Sequence, residues 1–167
     1  RGRACLALEC DVTNADACMR AVVAAIERFG ALDVLVNNAG MSHRSGLADT
    51  DPAVIRRVMD VNFFGAVHCT KAALPRLIER RGLVIAISSV AGYTPLIART
   101  GYAASKHALH GFFESLRTEV APQGVQVMMV CPSFIATQID HNALGGDGHP
   151  VRHAQVTIGR PLTADNA

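Results

Sequence analysis

Short apolar runs alternate with longer segments of helical periodicity along most of this chain, and this alternation limits the folds that it can adopt. The runs are residues 5–8, 32–36, 83–87 and 125–130, and the helical segments are residues 15–29, 51–81 and 102–120. The run at 83–87 is apolar throughout, as expected of a strand that is buried on both faces. This order predicts one α/β domain over residues 1–167, a doubly wound parallel sheet with helices on both faces.

Residues at the ends of these segments mark where the helices begin. Thr13, followed three residues later by Asp16, resembles a capping box for the first helix. Asp51 before Pro52 is typical of a helix start, with the carboxylate as cap and the proline in the first turn. Pro75 lies inside the same long segment and predicts a kink near its end.

Composition excludes several classes of function. The chain has 16 basic and 14 acidic residues, a net charge of +2 that forms no nucleic-acid footprint. No apolar run approaches the ~18 residues that a membrane span needs. The five cysteines are odd in number and lack CxxC spacing, which predicts buried thiols in a cytoplasmic chain rather than disulfides. His141, His149 and His153 are interpreted as solvated, so we expect no metal site.

Tyr102 and Lys106 are four residues apart on a predicted helix, which places both side chains on one face. A lysine ammonium beside a phenol favours the phenolate and lowers the pKa of the tyrosine. Such a tyrosine can donate or accept a proton near neutral pH. The alternative is an exposed lysine beside a half-buried tyrosine.

Two further polar residues fit the same chemistry. Ser89 follows the run at 83–87 and precedes Tyr102 by 13 residues, so its hydroxyl can donate to a substrate oxygen. Asn62 lies inside the long helical segment, an unusual place for an amide unless it holds something polar. The alternatives are a serine that satisfies nearby backbone and a core asparagine bonded to a neighbouring carbonyl.

Residues 37–40, Asn-Asn-Ala-Gly, follow a predicted buried strand. Small residues there allow a ligand to approach the backbone closely, although a plain turn is the alternative. Asp11 also follows a predicted strand and can accept from an exocyclic amine, or it can be a charge at a helix N-terminus. Ligands of parallel sheets bind beyond the carboxyl ends of the strands, where all these residues fall.

Together these motifs resemble the short-chain dehydrogenase/reductase family. The motifs, in chain order, are Asp11 with Val12, residues 37–40, Asn62, residues 87–92, Tyr102 to Lys106, and Pro132 to Thr137. The resemblance runs from about Ala4 to about Thr163. It implies a Rossmann-like fold, an NAD or NADP cofactor, a small carbonyl or secondary alcohol substrate, and a homo-dimer or homo-tetramer.

The resemblance also implies a role for each residue of the motifs. Tyr102 would be the general acid/base, Lys106 would lower its pKa and bond the nicotinamide ribose, Ser89 would polarise the substrate oxygen, and Asn62 would hold a water in a proton relay. The cofactor contacts would be Asp11 and Val12 at the adenine, Asn38, Ala39 and Gly40 near the adjacent ribose, and Pro132, Ile135 and Thr137 at the nicotinamide.

The chain departs from the family pattern in two places. Ser133 stands where the family usually has glycine after Pro132. No GxGxxG or GxxxGxG occurs among the 14 glycines, so the opening β-α-β unit, roughly 30 residues or more, is expected to lie outside this chain. The last strand and helix are also expected to be missing, with residues 133–167 as the variable substrate lid. We therefore expect a family member that is incomplete at both ends.

Two other functions share parts of this pattern. A truncated, non-catalytic remnant would keep the catalytic residues without the grip of the glycine-rich turn on the cofactor. A flavodoxin-like binding domain would share the alternation of strands and helices, but it gives no reason for the spacing of Ser89, Tyr102 and Lys106.

Overall fold

A three-stranded parallel sheet forms the centre of the fold. The computed structural model describes residues 4–136, 139, 142–151 and 162–163. The strands are β1 (Val34–Asn37), β2 (Leu83–Ile87) and β3 (Gln126–Val130), in the order β1-β2-β3. Val34 lies opposite Leu83, and Leu83 lies opposite Gln126. A separate short pair, β4 (Ile135–Ala136) and β5 (Leu162–Thr163), is also parallel. The parallel sheet confirms the predicted α/β class.

Among the described residues, the sheet is accompanied by the α-helices α1 (Ala15–Phe29), α2 (Pro52–Met59), α3 (Gly65–Arg80) and α4 (Thr100–Val120). A π-helical turn, Asp60–Phe64, joins α2 to α3, so the predicted long helix is continuous from residue 52 to residue 80. Asp51 caps it as predicted, since its carboxylate accepts from the backbone N–H of Ala53 at 2.8 Å. Pro75 lies inside α3. No pattern in the sequence predicted the π-helical turn.

The hydrophobic core lies between one face of the sheet and the helices α3 and α4. Val84 and Ala86 of β2 point into it, and Leu77 of α3 and Phe113 of α4 pack over them. The alternate side chains of the sheet, including Val36 of β1, are exposed or half-buried. Within the described part of the chain, the prediction of helices on both faces is therefore met on one face only.

Two local predictions are wrong. Residues 5–8 form no strand, because among the described residues no neighbouring strand pairs with them, and Leu6 and Leu8 are exposed. The N-cap of α1 is Asn14 rather than Thr13, since the Asn14 side chain accepts from Ala17 N–H at 2.9 Å. Thr13 instead hydrogen-bonds through its own N–H and hydroxyl to the carboxylate of Asp11, both at 2.9 Å.

None of the helices in the described ranges combines the length and the apolar character that a bilayer crossing requires.

Phe113→Ala tests the position of the core. The Phe113 side chain is 0% exposed, so its truncation leaves a cavity and is expected to lower the free energy of unfolding by about 3–5 kcal/mol. The measurement is urea denaturation of the full-length protein. The matched control is Ile97→Ala, because Ile97 is 98% exposed and its truncation should stay within about 0.5 kcal/mol. Equal effects of the two substitutions would contradict this core.

Candidate active site

The carboxyl ends of the three strands meet at one edge of the sheet, and a cavity of about 350 Å³ opens there. Seven of the predicted site residues line it: Asn38, Gly40, Ser89, Tyr102, Lys106, Pro132 and Ile135. They come from segments up to 97 positions apart in the chain, from residue 38 to residue 135. The fold thus gathers most of the predicted catalytic and nicotinamide-end residues around one space.

Tyr102 and Lys106 lie one turn apart on α4, and both are buried. Lys106 is 4% exposed, and its Nζ donates to the backbone carbonyl of Ile87, at the end of β2, at 3.0 Å. The same Nζ lies 5.7 Å from the centre of the Tyr102 ring. This burial excludes the alternative of an exposed lysine.

Burial also sets the protonation of Lys106. Removal from water disfavours the ammonium and lowers its pKa to about 8, while the nearby Cys131 thiol acts weakly in the opposite direction. At neutral pH Lys106 therefore carries a charge, but its pKa of about 8 lies about 2.5 pH units below the ordinary lysine value of 10.5.

Ser89 begins the short 3-10 turn Val90–Gly92, and its Oγ accepts from the backbone N–H of Ala91 at 3.2 Å. That bond uses a lone pair and leaves the hydroxyl hydrogen available for a substrate oxygen in the cavity. The Ser89 side chain can therefore cap the backbone and donate to a substrate at the same time.

Ser88 is turned toward α4. Its Oγ lies 2.9 Å from Nε2 of His110, and the side chain is buried. Gly92 makes room for this pair, because a Cβ there would lie 2.4 Å from the same Nε2 atom. The bond between Ser88 and His110 ties the segment after β2 to α4, which also carries Tyr102 and Lys106.

Asn62 lies in the π-helical turn and is 1% exposed. Its Nδ2 donates to the carbonyl of Met41 and to Oγ of Ser105, both at 2.9 Å, and its Oδ1 accepts from Met41 N–H at 2.7 Å. Both amide hydrogens are therefore used within the protein. A water held by this side chain would have to donate to the second lone pair of Oδ1.

Gly40 lies between that oxygen and the lysine. A Cβ on Gly40 would be 3.4 Å from Oδ1 of Asn62 and 3.8 Å from Nζ of Lys106. Any larger residue would therefore occupy the space between the amide and the ammonium. The glycine keeps this space open to a small polar molecule or to a ligand hydroxyl.

The predicted adenine residues lie apart from the cavity lining. Asp11 is exposed. The pKa of its carboxyl is lowered mainly by the hydrogen bond from the backbone N–H of Thr13 and further by the bond from the Thr13 hydroxyl. Val12 packs on the start of α3, where a Cβ on Gly65 would lie 2.7 Å from Cγ2 of Val12. Ala39 is exposed between two lining residues. Thr137 lies outside the described residues.

Sequence reasoning missed Arg99, which lines the cavity. Arg99 is the N-cap of α4, is buried, and donates through Nη1 to Oγ of Ser42 at 2.5 Å. A cation at a helix N-terminus opposes the helix dipole, and this conflict is the signal that marks Arg99 in the sequence. Ser133, Leu96 and Ile139 also line the cavity.

The described ranges hold no cluster of three histidine, cysteine or acidic side chains arranged to bind a metal ion. His141 and His153 lie outside those ranges.

Comparison with known proteins places this arrangement in a family. The family model for short chain dehydrogenases matches residues 1–146. Dehydrogenase/reductase SDR family member 7B from Bos taurus is 45% identical over 139 residues, which make up 83% of this chain and 43% of that protein. Dehydrogenase/reductase SDR family member 7 from Homo sapiens is 41% identical over 144 residues, covering 85% of this chain and 42% of that protein.

Solved structures agree with the sequence comparison. ElxO with NADP bound has a TM-score of 0.74 and 32% identity, over 77% of this chain and 52% of that one. A gluconate 5-dehydrogenase from Burkholderia cenocepacia J2315, in complex with NADP and tartrate, has a TM-score of 0.75 and 29% identity. The match covers 78% of this chain and 51% of that one.

The chain belongs to the short-chain dehydrogenase family. It spans less than half the length of the two curated relatives described above.

The pKa of Lys106 can be measured directly. We expect the Cε resonance of Lys106 in ¹³C NMR to titrate near 8, because burial disfavours the ammonium. Exposed Lys71, the other lysine of this chain, serves as the internal reference. Between pH 8 and 10.5 the unfolded chain then binds more protons at this site than the folded protein, so its contribution makes stability rise with pH. Titration of Lys106 at 10.5 or above would contradict its burial.

Proposed function

We propose that the protein carrying this chain is an oxidoreductase that transfers a hydride between NAD or NADP and a carbonyl or secondary alcohol. The observation that carries the proposal is the burial of Tyr102 and Lys106 side by side at the cavity that Ser89 also lines. NADP in the solved structures of ElxO and the gluconate 5-dehydrogenase supports the choice of cofactor.

The cavity fits the nicotinamide ribose end of such a cofactor. Nζ of Lys106 offers hydrogens to ribose hydroxyls, and Gly40 beside it has no side chain to block their approach. Asn38, Pro132 and Ile135 complete the proposed wall on this side. The bound cofactor supplies the hydride, and the protein supplies orientation and the proton.

The protein's own part is the movement of one proton. In carbonyl reduction, the Ser89 hydroxyl donates a hydrogen bond to the substrate oxygen, and the Tyr102 hydroxyl gives that oxygen its proton. The ammonium of Lys106 stabilises the phenolate that remains. Alcohol oxidation uses the same groups in reverse, with Tyr102 as the base.

Replacement of that proton follows from the surroundings of Lys106. An ammonium with a pKa of about 8 can release a proton near neutral pH at small cost. The open space at Gly40, between this ammonium and Oδ1 of Asn62, is where a relay water would sit. In this scheme Asn62 is a positioning residue, because its amide also holds Met41 and Ser105.

We also propose that the protein is a homo-dimer or homo-tetramer in the cytoplasm. Support for this comes from the resemblance to the family and from the five free cysteines, which suit a reducing compartment. Light scattering of the purified full-length protein tests the assembly, and a monomer at micromolar concentration would contradict it.

Tyr102→Phe tests the proposed proton donor. The substitution removes one hydroxyl and keeps the ring, so turnover is expected to fall by roughly 10²–10⁴-fold while cofactor affinity changes little. Turnover is followed by the absorbance of the reduced cofactor with a panel of small ketones, and affinity by calorimetry. The matched control is Tyr93→Phe, because the other tyrosine of this chain is exposed and should be replaced without loss of turnover.

Two results would count against this function. Undiminished turnover of the Tyr102→Phe variant would remove the proposed role of the hydroxyl. No turnover by the unaltered full-length protein with either cofactor, across ketones and secondary alcohols, would favour the non-catalytic alternative.

A further inference from the structure

Two cationic side chains, Lys106 and Arg99, line the cavity at the edge of the sheet. Among the described residues, no aspartate or glutamate lines it. Lys106 bonds the carbonyl of Ile87 and lies where the ribose of the proposed cofactor would bind. The proposed transfer of hydride and proton does not use Arg99, so it does not explain why a second cation is built into this wall.

Arg99 belongs to the wall itself and does not reach over it from the surface. It is 6% exposed, and its Nη1 donates to Oγ of Ser42, in the loop after β1, at 2.5 Å. Ser42 is also buried. A guanidinium offers several N–H donors in one rigid plane. The bond to Ser42 therefore orients the group and still allows it to donate to an acceptor in the cavity.

Arg99 lies one turn before Tyr102, the proposed proton donor. The two residues are at positions i and i+3 where α4 begins, so their side chains share one helix face. The guanidinium carbon of Arg99 lies 5.9 Å from the centre of the Tyr102 ring. A substrate whose carbonyl oxygen meets the Tyr102 hydroxyl therefore has the guanidinium within reach of a group a few bonds further along the same molecule.

The charges around Arg99 favour an anionic group at this point of the cavity. As the N-cap of α4, Arg99 adds its charge to the positive end of the dipole of a 21-residue helix. Burial strengthens the interaction of both with a ligand, because water screens charges less in such a place. An anionic group bound beside Arg99 would interact favourably with the guanidinium and with the helix end together.

A carboxylate suits this site better than a phosphate. A planar carboxylate pairs with a single guanidinium through two parallel hydrogen bonds. A phosphate carries more charge and loses more hydration on entering a cavity, so it needs more donors around it. Leu96, Phe134 and Ile139 contribute apolar surface to the same cavity, which further disfavours a group of higher charge.

We propose that Arg99 binds a carboxylate of the substrate, so that the protein carrying this chain acts on small keto acids or hydroxy acids in preference to neutral ketones or alcohols. The proposal rests on the proposed function, because it takes the reacting oxygen to lie at Tyr102 and Ser89. A substrate held at both its carbonyl and its carboxylate presents the reacting carbon to the cofactor in one orientation. Arg99 is then a specificity-determining residue that takes no part in the proton transfer.

Matched pairs of substrates test the preference. The full-length protein is assayed with acetoacetate against methyl acetoacetate and with levulinate against methyl levulinate, because each pair shares a carbon skeleton and differs in the charge of the carboxyl group. We expect kcat/KM for the acid to exceed that for the ester by about 10–100-fold in at least one pair, the size expected of a hydrogen bond to a charged group. Esters that react as well as both acids would overturn the proposal.

Arg99→Gln removes the charge and keeps a donor for Ser42. We expect it to lower the acid-to-ester ratio of kcat/KM by about 10–100-fold, mainly through a higher KM for the acid. Arg99→Lys keeps the charge and should retain part of the preference. The matched control is Arg57→Gln, because Arg57 is exposed on α2 and does not line the cavity. It removes the same charge and should leave the ratio unchanged.

The ratio separates recognition of substrate from a structural role. If Arg99 only joined α4 to Ser42, Arg99→Gln would lower kcat/KM for acids and esters alike and leave their ratio unchanged, which would overturn the proposal. A stronger preference for acetonylphosphonate than for either acid would overturn the assignment to a carboxylate. The ratio of the unaltered protein tests the proposal even where the Arg99→Gln variant does not fold.

Failure of this proposal differs from failure of the proposed function. Turnover of esters and neutral ketones without a preference for acids would contradict the role of Arg99 and leave the oxidoreductase intact. No turnover of any ketone or acid with either cofactor would contradict the proposed function. Binding of levulinate, measured by calorimetry, would then still test the site, since equal affinities of the unaltered protein and Arg99→Lys on one side and Arg99→Gln on the other would overturn it.

Discussion

The candidate active site depends on the hydrogen bonds of one buried amide. Asn62 joins the loop after β1, through both backbone groups of Met41, to α4, through Ser105. Ser105 is the neighbour of Lys106, and Met41 is the neighbour of Gly40, so this amide sets the distance between the lysine and the glycine. Removing a partner from such a network would leave buried polar groups unsatisfied, at a cost of about 1–3 kcal/mol each.

The second constraint is the burial of Lys106. The ammonium in this position donates one hydrogen bond to the carbonyl of Ile87, which ties α4 to the end of β2. The same enclosure makes the charge easier to lose, with a pKa of about 8. A fully solvated lysine would hold its proton too firmly for a relay at neutral pH, so packing and proposed chemistry require the same environment.

Sequence patterns predicted those parts of the fold that depend on local or contiguous signals. The apolar run at 83–87 coincides with β2, and the helical periodicity at 15–29 coincides with α1. The spacing of Tyr102 and Lys106 placed them on one helix face because that geometry is local. The strand predicted at residues 5–8 failed because a strand needs a partner, which no local pattern supplies.

The features that escaped prediction are long-range. The amide of Asn62 was noticed in the sequence, but its partners, 21 and 43 positions away, and the π-helical turn at Asp60–Phe64 that holds it were not predicted. Arg99 enters the cavity wall and bonds Ser42, which is 57 positions away.

The most direct test of the account is a crystal structure of the full-length protein with a reduced nicotinamide cofactor and an unreactive analogue of a ketone substrate. We expect the analogue's oxygen to lie within about 2.6–3.2 Å of both Oη of Tyr102 and Oγ of Ser89, with Nζ of Lys106 on the nicotinamide ribose. An oxygen bound away from the Tyr102 hydroxyl, or a cofactor that leaves Lys106 without contact, would contradict it.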